Sequence, residues 1–365
     1  MIRQENAHAT VHWLSPEEER QWDAFVTGHP LGCVYHLAAW KRVLEEAFPH
    51  IRGRFLALRD GLTGQIRAGL PLYTVTSWLL GNRIVSVPFA SSCDPLISTP
   101  EEFALLLPAI QDALRGAGGR TIEIRAITTA QHLAASPLAA DAIYKHHYLA
   151  LDRSPEALFN SFANSSVRQK VRKARRMGVA VEERTDEEGM RICHAILTDT
   201  RRRISLPPMP FAFFRAMRRR LGPDHLKVYL AMQEGKAVAC HLVLRFKDRW
   251  NSEYSGNTNS AITGANQLLY WDAIQRAQAS GAQRFSLGRT SPHHLGLLSY
   301  KQRWAPIEED LTHFTNAMGN GSRRSIAGLE ARSATTVYRL LQPLVGKAPL
   351  WFLRLVGTFC YRHLG

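Results

Sequence analysis

Apolar positions along the chain fall into short strand-like runs separated by longer stretches with helical spacing. Thr10–Leu14 predicts a short strand, and Ser15-Pro16-Glu17-Glu18 then supplies an N-cap, a proline at the first helical position and acid in the first turn. The stripe Trp22, Phe25 and Val26 carries that helix to His29-Pro30, which breaks it. A second helix runs over about Leu37 to Phe48, with Trp40, Val43, Leu44 and Phe48 on one face. Arg54–Leu58 and Ile66–Tyr73 predict a β-hairpin around Asp60-Gly61-Leu62-Thr63-Gly64. Ile84–Val87 is a further strand, Pro100–Arg115 an amphipathic helix stopped by Gly116-Ala117-Gly118-Gly119, and Thr121–Arg125 the strand that follows. Ile143–Leu151 is a strand whose adjacent His146 and His147 point to opposite faces and cannot share a metal.

Pro155 to Met177 then predicts a helical linker closed by Gly178, ahead of a strand at Val179–Glu182. Helices at Asp186–Ile204 and Pro210–Leu221 follow. From Lys227 come a hairpin, strand Trp250–Ser255, helix Gln267–Ser280, strand Arg284–Leu287, helix His294–Arg303 and strand Glu308–Phe314. Asn316–Ser325 reads as a flexible linker to a basic, apolar tail, in which Lys347-Ala348-Pro349 separates two short helices.

The order of these elements repeats. Phe55-Leu56-Ala57-Leu58-Arg59-Asp60-Gly61 parallels Tyr229-Leu230-Ala231-Met232-Gln233-Glu234-Gly235, a strand running into a turn in both places. Ala109-Ile110-Gln111-Asp112-Ala113 recurs as Ala273-Ile274-Gln275-Arg276-Ala277, and Arg120 and Arg125 match Arg284 and Arg289. The offset is smaller for the later segments, so the first copy carries the longer connection. Two copies are too few for a solenoid. The expected architecture is a tandem pair of similar α/β (α+β) domains, with boundaries at residues 1–152 and 153–316 and a linker and tail over 317–365. A cleft between such copies is a natural place for a ligand.

Composition changes this picture in one respect. A chain of 365 residues with 45% hydrophobic and 21% charged residues is ordinary globular material for two cores. No apolar run reaches the roughly 18–20 residues that span a bilayer, and Met1–Asn6 lacks the apolar core of a signal peptide. The expected location is therefore cytoplasmic. Cys33, Cys93, Cys193, Cys240 and Cys360 lie far apart with no CxxC pair, so neither a disulfide framework nor a metal site is expected. The net charge of +15 stands out. It implies a polyanionic partner: nucleic acid, a phosphorylated cofactor or an anionic membrane face.

Two stretches could carry chemistry. Arg168, Lys170, Arg172, Lys173, Arg175 and Arg176 put their charges on a helix over residues 165–177 whose thin apolar stripe is Val167, Val171 and Ala174. No acid interleaves, so intrahelical pairing does not explain the run; it is either an anion-binding face or a solvated one. The second stretch runs from Glu253 to Lys301. Thr263-Gly264-Ala265-Asn266 opens a helix, whose first N–H groups can receive a phosphate or carboxylate or can simply be capped. Lys301 stands beside Tyr300 and close to Trp304, a setting that suits a partly desolvated ammonium facing developing negative charge, or a lysine snorkelling from a helix edge. His293-His294 lies in a turn after Pro292. Ser286 is not in a GxSxG elbow, and no Walker loop, GxGxxG fingerprint or HExxH is present. An enzyme built this way works by positioning and electrostatics, the pattern usual for acyl transfer to an amine.

Tyr35-His36-Leu37-Ala38-Ala39-Trp40, the helix Val167–Met177 with Gly178-Val179, Gly264-Ala265-Asn266-Gln267-Leu268-Leu269-Tyr270-Trp271, Phe285-Ser286-Leu287-Gly288-Arg289-Thr290 and Tyr300-Lys301-Gln302-Arg303-Trp304 together resemble the Fem family. That family comprises the FemA/FemB/FemX-type aminoacyl transferases and related exopolysaccharide-associated proteins. The resemblance implies tandem domains of the acyl-CoA N-acyltransferase (GNAT) fold and amide formation between an activated donor and an amine. The family's aromatic–lysine pair, which stabilises charge at the acyl carbonyl or leaving group, maps onto Tyr300 and Lys301, with tyrosine in place of the usual phenylalanine. Neither the coiled-coil arm some relatives use for tRNA nor the standard acyl-CoA loop is evident, so acyl-CoA, an acyl carrier protein and aminoacyl-tRNA all remain as donors.

The expected roles are Lys301 and Tyr300 as oxyanion stabilisers and Glu253 as acceptor of the amine proton. Arg289, Gly264, Asn266, Tyr270, Arg168, Arg172, Lys173 and Arg176 would bind donor or acceptor. The acceptor would be an amine-bearing glycan or peptide of the cell envelope. Leu350, Trp351, Phe352, Leu355, Val356 and Phe359 among basic residues mark the tail as able to lie on an anionic membrane surface or to pack on the body. The rival readings are a non-catalytic basic adaptor of envelope polysaccharide assembly and a nonspecific RNA-binding protein.

Overall fold

A computed structural model of the chain describes residues 9–261, 263–316 and 350–363. Of these, residues 9–144, 310–316 and 361–363 form one unit, and residues 145–261, 263–309 and 350–360 form a second. The expected linker from Asn316 to Ser325 and the first tail helix lie outside the described residues beyond Asn316 itself.

In chain order the first copy supplies β1 (Thr10–Trp13), α1 (Glu19–Gly28), α2 (Ala38–Ala47), β2 (Ile51–Arg59), β3 (Ile66–Val75), β4 (Arg83–Val85), α3 (Pro100–Gly116), β5 (Thr121–Ala126), α4 (Ala130–Ala134) and β6 (Leu138–Ala150). After α5 (Pro155–Ser161) and α6 (Gln169–Arg176) the same succession returns. It runs β7 (Ala180–Glu183), α7 (Glu187–Arg203), α8 (Phe211–His225, broken at Gly222), β8 (Leu226–Gln233), β9 (Lys236–Phe246), β10 (Arg249–Asn257), α9 (Ala265–Ala279), β11 (Arg284–Thr290), α10 (Leu295–Gln302) and β12 (Ile307–Asn316). The duplication visible in the sequence is thus a duplication of fold, strand for strand and helix for helix.

Each unit has the same sheet. In the first, β1, β2, β3 and β4 are successively antiparallel, β4 and β5 are parallel, and β12 runs antiparallel to β5 through Thr312–Thr315. In the second, β7, β8, β9 and β10 are antiparallel, β10 and β11 are parallel, and β6 runs antiparallel to β11 through Lys145–Ala150. The sixth strand of each sheet therefore comes from the stretch of chain that follows the other copy's fifth strand.

Local chemistry explains the main elements. Thr99 caps α3 by accepting from the Glu102 N–H, and Pro100 sits where no N–H is required. The β8–β9 turn uses Glu234 and Gly235, both with positive φ, the pairing that a two-residue hairpin turn requires. The first core gathers Leu56, Leu70, Ile122 and Ile124 beneath Phe103, Leu106 and Ile110 of α3; the second gathers Val243, Trp250 and Phe285 beneath Leu269, Trp271 and Ile274 of α9. The longer connection expected in the first copy is spread over the β2–β3 turn, residues 60–65 against 234–235, and the loops flanking β4, residues 76–82 and 86–99.

One expectation needs correction. The helix expected from Pro155 to Met177 is interrupted: Phe162 is extended and buried against Trp271 and Trp304, and the Ala163 N–H is taken by the Arg303 carbonyl at 2.9 Å. A π-helical turn at Asn164–Arg168 restarts the chain, so the basic segment given as 165–177 is a turn followed by α6. The second part of the tail forms α11 (Leu350–Tyr361) and packs on protein on one side. Leu353 is fully buried, and a Cβ on Gly357 would lie 2.3 Å from the Pro208 carbonyl oxygen, whereas Leu355 and Phe359 are exposed. No helix among the described residues is long and apolar enough to cross a membrane.

Candidate functional site

The second sheet opens at its parallel pair. β10 and β11 match only at Arg249–Arg284, Trp250–Phe285 and Asn251–Ser286; beyond these, β10 continues beside β9 to Asn257 and β11 beside β6 to Thr290. β-bulges sit at the point of parting, at Glu253 in β10 and at Leu287 in β11. Bulges bend a strand and re-aim its side chains. Parting strands leave backbone groups and side chains facing a gap, which is where a ligand can enter a sheet without unfolding it.

Lys301, at the end of α10, bonds to the β11 side of that gap. It is only 6% exposed, and its Nζ donates to the carbonyls of Gly288 at 2.7 Å and Arg289 at 3.0 Å. Burial pulls its pKa down to about 7, while the two carbonyls favour its protonated form. An ammonium has three hydrogens; two are used here, and the third has no partner among the described residues. His147 on β6 pairs with Glu308 at 3.0 Å; burial, and then the Lys301 charge, lower its pKa against the pull of Glu308.

Tyr270 of α9 connects β9 and β10 to α10. Its hydroxyl lies 3.1 Å from both Ser252 Oγ and Ser255 Oγ of β10, and its ring stacks on His241 at 4.3 Å. His241 is fully buried and held neutral, its pKa pushed down to about 3 by burial, with Nε2 on Ser252 Oγ at 2.8 Å. Tyr300 is 6.5 Å from Tyr270 between ring centroids, and burial raises its pKa, keeping the phenol protonated. Trp304 packs on Tyr270 and Phe162 and is wholly buried, so it belongs to the core beneath the site.

The start of α9 meets the basic helix. Gly264 has φ 112°, and a Cβ there would lie 2.2 Å from the Lys170 carbonyl oxygen, so only glycine lets the two backbones approach so closely. Gly264, the N-cap of α9, supplies no side-chain cap. Asn266 donates to Asn257 Oδ1 at 3.3 Å, leaving its own buried Oδ1 without a partner among the described residues. Val167, Val171 and Ala174 are buried as the spacing requires. Arg172, Lys173, Arg175 and Arg176 are exposed, with no carboxylate in ion-pair range among the described residues; Arg175 reaches Gln275 at 3.3 Å and Arg172 lies over the Phe159 ring. The backbone contact therefore joins α6 to the α9 N-terminus, while Arg168 sits half-buried near Asn160.

The structure also assembles a line that the sequence did not reveal. Ser286 Oγ lies 2.9 Å from His146 Nε2, and His146 Nδ1 lies 3.6 Å from the Glu309 carboxylate. The three come from β11, β6 and β12, and no local motif joins them. The alternation of β6, which separates His146 from His147, was the one available signal. Arg289 is half-buried on β11. Its repeat counterpart Arg125 is buried, bonding Glu123 at 2.6 Å and the Val87 and Ala90 carbonyls, a structural use of the same position.

This topology is that of the GNAT fold, and residues 161–302 match the acetyltransferase (GNAT) domain family. Across nearly its whole length the chain has a tandem form of that fold. The crystal structure of FemX is similar at TM-score 0.70 and 16% identity, covering 91% of this chain and 100% of that one. The C-terminal domain of a putative lysylphosphatidylglycerol synthetase from Agrobacterium fabrum is similar at TM-score 0.57 and 15% identity, covering 87% and 96%. A tandem GNAT protein from the clavulanic acid biosynthesis pathway is similar at TM-score 0.55 and 12% identity, covering 86% and 99%. No curated protein sequence matches the chain.

Proposed function

We propose that the protein is an N-acyltransferase that forms an amide between an activated acyl or aminoacyl donor and an amine on a glycan or peptide of the cell envelope or exopolysaccharide. The observation that carries this reading is the buried Lys301 ammonium, fixed on two β11 carbonyls at the parting of β10 and β11 with one hydrogen to spare. The amine nitrogen attacks the donor carbonyl, and the carbon–nitrogen bond forms. The carbon–sulfur or carbon–oxygen bond to the donor then breaks, and the amine proton leaves to Glu253 at the β10 bulge. Lys301, with the Tyr300 phenol, stabilises the charge that gathers on the carbonyl oxygen or leaving group. Arg289 orients the reacting groups, and Tyr270, held by Ser252 and Ser255, shapes the wall of the gap.

The α9 start with Gly264 and Asn266, together with Arg168, Arg172, Lys173 and Arg176, would take the phosphates of the donor. Acyl-CoA, an acyl carrier protein and aminoacyl-tRNA all carry such phosphates, and a thermal-shift panel of the three separates them, because a ligand that binds the native state raises its melting temperature. Stabilisation by none of them, with no turnover, would favour the adaptor reading. Equal binding of any RNA with steep salt dependence would favour the RNA-binding one. The Arg172→Glu, Lys173→Glu, Arg176→Glu triple variant is expected to weaken donor binding on the order of 100-fold, one or two charge-assisted contacts of about 1.5–3 kcal/mol, and to flatten its salt dependence. Unchanged affinity and salt slope would make α6 a solvated face.

The pH profile tests the role of Lys301 separately. If the ammonium is the working form, kcat/KM falls as pH rises through about 7; if neutral Lys301 served as the base, it would rise there. His147 and Glu308 share this environment, so a His147→Gln variant should shift the midpoint without abolishing the limb.

Docking at an anionic membrane surface, the expected site of a lipid-linked acceptor, is supported by the exposed apolar loop of Trp78, Leu79 and Leu80 in the first unit and by the net charge of +15.

A further inference from the structure

Cys33, His36 and Cys93 are remote from the candidate active-site residues in sequence and belong to the first unit, yet their ligand atoms all lie within 4.8 Å of one another. Cys33 Sγ is 3.1 Å from His36 Nδ1. The imidazole is oriented from its far side: Nε2 lies 2.9 Å from the Asp94 carbonyl oxygen, which can only accept, so Nε2 carries the hydrogen and Nδ1 turns its lone pair toward the thiols. Asp94 is itself fixed, its carboxylate accepting from the Ile127 and Thr129 N–H groups and the Thr129 hydroxyl. A histidine whose second nitrogen donates to a backbone carbonyl is the arrangement that orients metal-ligating imidazoles.

We propose that Cys33, His36 and Cys93 bind a single borderline-soft divalent cation, zinc in the first instance. Two sulfurs and one imidazole nitrogen suit zinc and not magnesium or calcium. Tetrahedral zinc, with bonds of about 2.3 Å to sulfur and about 2.0 Å to nitrogen, sets sulfurs about 3.8 Å apart and sulfur about 3.5 Å from nitrogen. The 3.1 Å between Cys33 Sγ and His36 Nδ1 and the 4.8 Å limit on the other separations bracket these values. Loading requires the Cys33 N–H, now on His36 Nδ1 at 3.1 Å, to release that nitrogen. Both thiols lose their protons to solvent as the metal binds, so the site exchanges two protons for one dication.

Three protein ligands leave a fourth position for water. The Tyr73 hydroxyl, fully buried and without a hydrogen-bond partner among the described residues, lies within electrostatic reach of both cysteines and would gain a partner in that water. Cys33 precedes the turn Val34–His36 ahead of α2 and His36 ends it, whereas Cys93 lies in the connection between β4 and α3. One cation would therefore clasp two loops that share no regular hydrogen-bonded ladder.

The test uses the full chain, stripped with a chelator and kept under reductant without oxygen, with zinc and cobalt(II) as probes. Expected are one zinc per chain, a higher melting temperature on adding zinc, and the thiolate charge-transfer and tetrahedral d–d absorption of a cobalt–thiolate site. Cys33→Ser, Cys93→Ser and His36→Gln should each lose stoichiometric binding, and the Cys193→Ser/Cys240→Ser double variant should keep it. Because a variant can fail to fold, zinc protection of Cys33 and Cys93 from alkylation in the unmodified chain is read alongside. Absence of the cobalt–thiolate bands in the unmodified chain, their persistence in Cys33→Ser, or alkylation of both thiols unaffected by zinc would each overturn the proposal.

Discussion

Lys301→Ala is expected to lower the rate of acyl transfer roughly 100- to 1000-fold, the loss of about 3–4 kcal/mol that removal of an oxyanion-type donor produces, while leaving the protein folded. The second half of that expectation follows from the packing. Lys301 contributes an aliphatic stem and two bonds to carbonyl groups at the end of β11, and the hydrophobic core beneath it is formed by other residues. Single-turnover rates with saturating donor separate the chemical step from binding, and circular dichroism with thermal melting reports the fold. Near-normal turnover in a folded variant would remove Lys301 from the mechanism and leave the serine–histidine–glutamate line of Ser286, His146 and Glu309 as the next set of groups to test.

Trp304→Ala is expected to cost about 3–5 kcal/mol of stability, the range for truncating a large buried aromatic side chain. Trp304 is fully buried; its ring is 5.2 Å from Phe162 and 5.4 Å from Tyr270. Phe162 in turn packs on Trp271 and ends the segment that precedes the basic turn. A cavity there would loosen both the wall carrying Tyr270 and the support of α6. Denaturant unfolding measures the loss. A change below about 1 kcal/mol, the scale of a surface substitution, would show that Trp304 is not the keystone of this cluster. Two variants three residues apart, one at the end of α10 and one just beyond it, should thus fail differently, Lys301→Ala in catalysis and Trp304→Ala in folding.

The architecture was largely legible because it rests on signals that a sequence carries locally. Strand alternation, the Asp60–Gly64 and Glu234-Gly235 turns and the caps before α3 and α7 each act within a few residues, and their recurrence in one order disclosed the duplication. The interruption at Phe162 was not legible, because it is enforced by distant partners: the Arg303 carbonyl and the rings of Trp271 and Trp304. Helical periodicity alone runs straight through it.

Much the same holds for the site. Lysine between aromatics pointed to Lys301, and glycine before α9 to Gly264. The reason glycine is needed there, contact with the Lys170 backbone, is a tertiary fact. The His241–Ser252–Tyr270 network, the Ser286–His146 pair and the Cys33–His36–Cys93 cluster join residues from separate elements. Spacing rules for cysteine find ligands that are near in sequence, so they are silent on two cysteines held by different loops.

The exchange of sixth strands sets the order in which the protein can be completed. As the chain is synthesised from its N-terminus, β1 to β5 can assemble early, but β5 keeps an open edge until Thr312–Thr315 arrive. An unpaired edge is an invitation to pair with another chain, and long-range strand pairing is slow. The first unit therefore matures last although it is made first. A stop anywhere between the two copies leaves a nascent sheet that is complete in sequence and open in structure, a species for chaperones to hold and not a small protein able to stand alone.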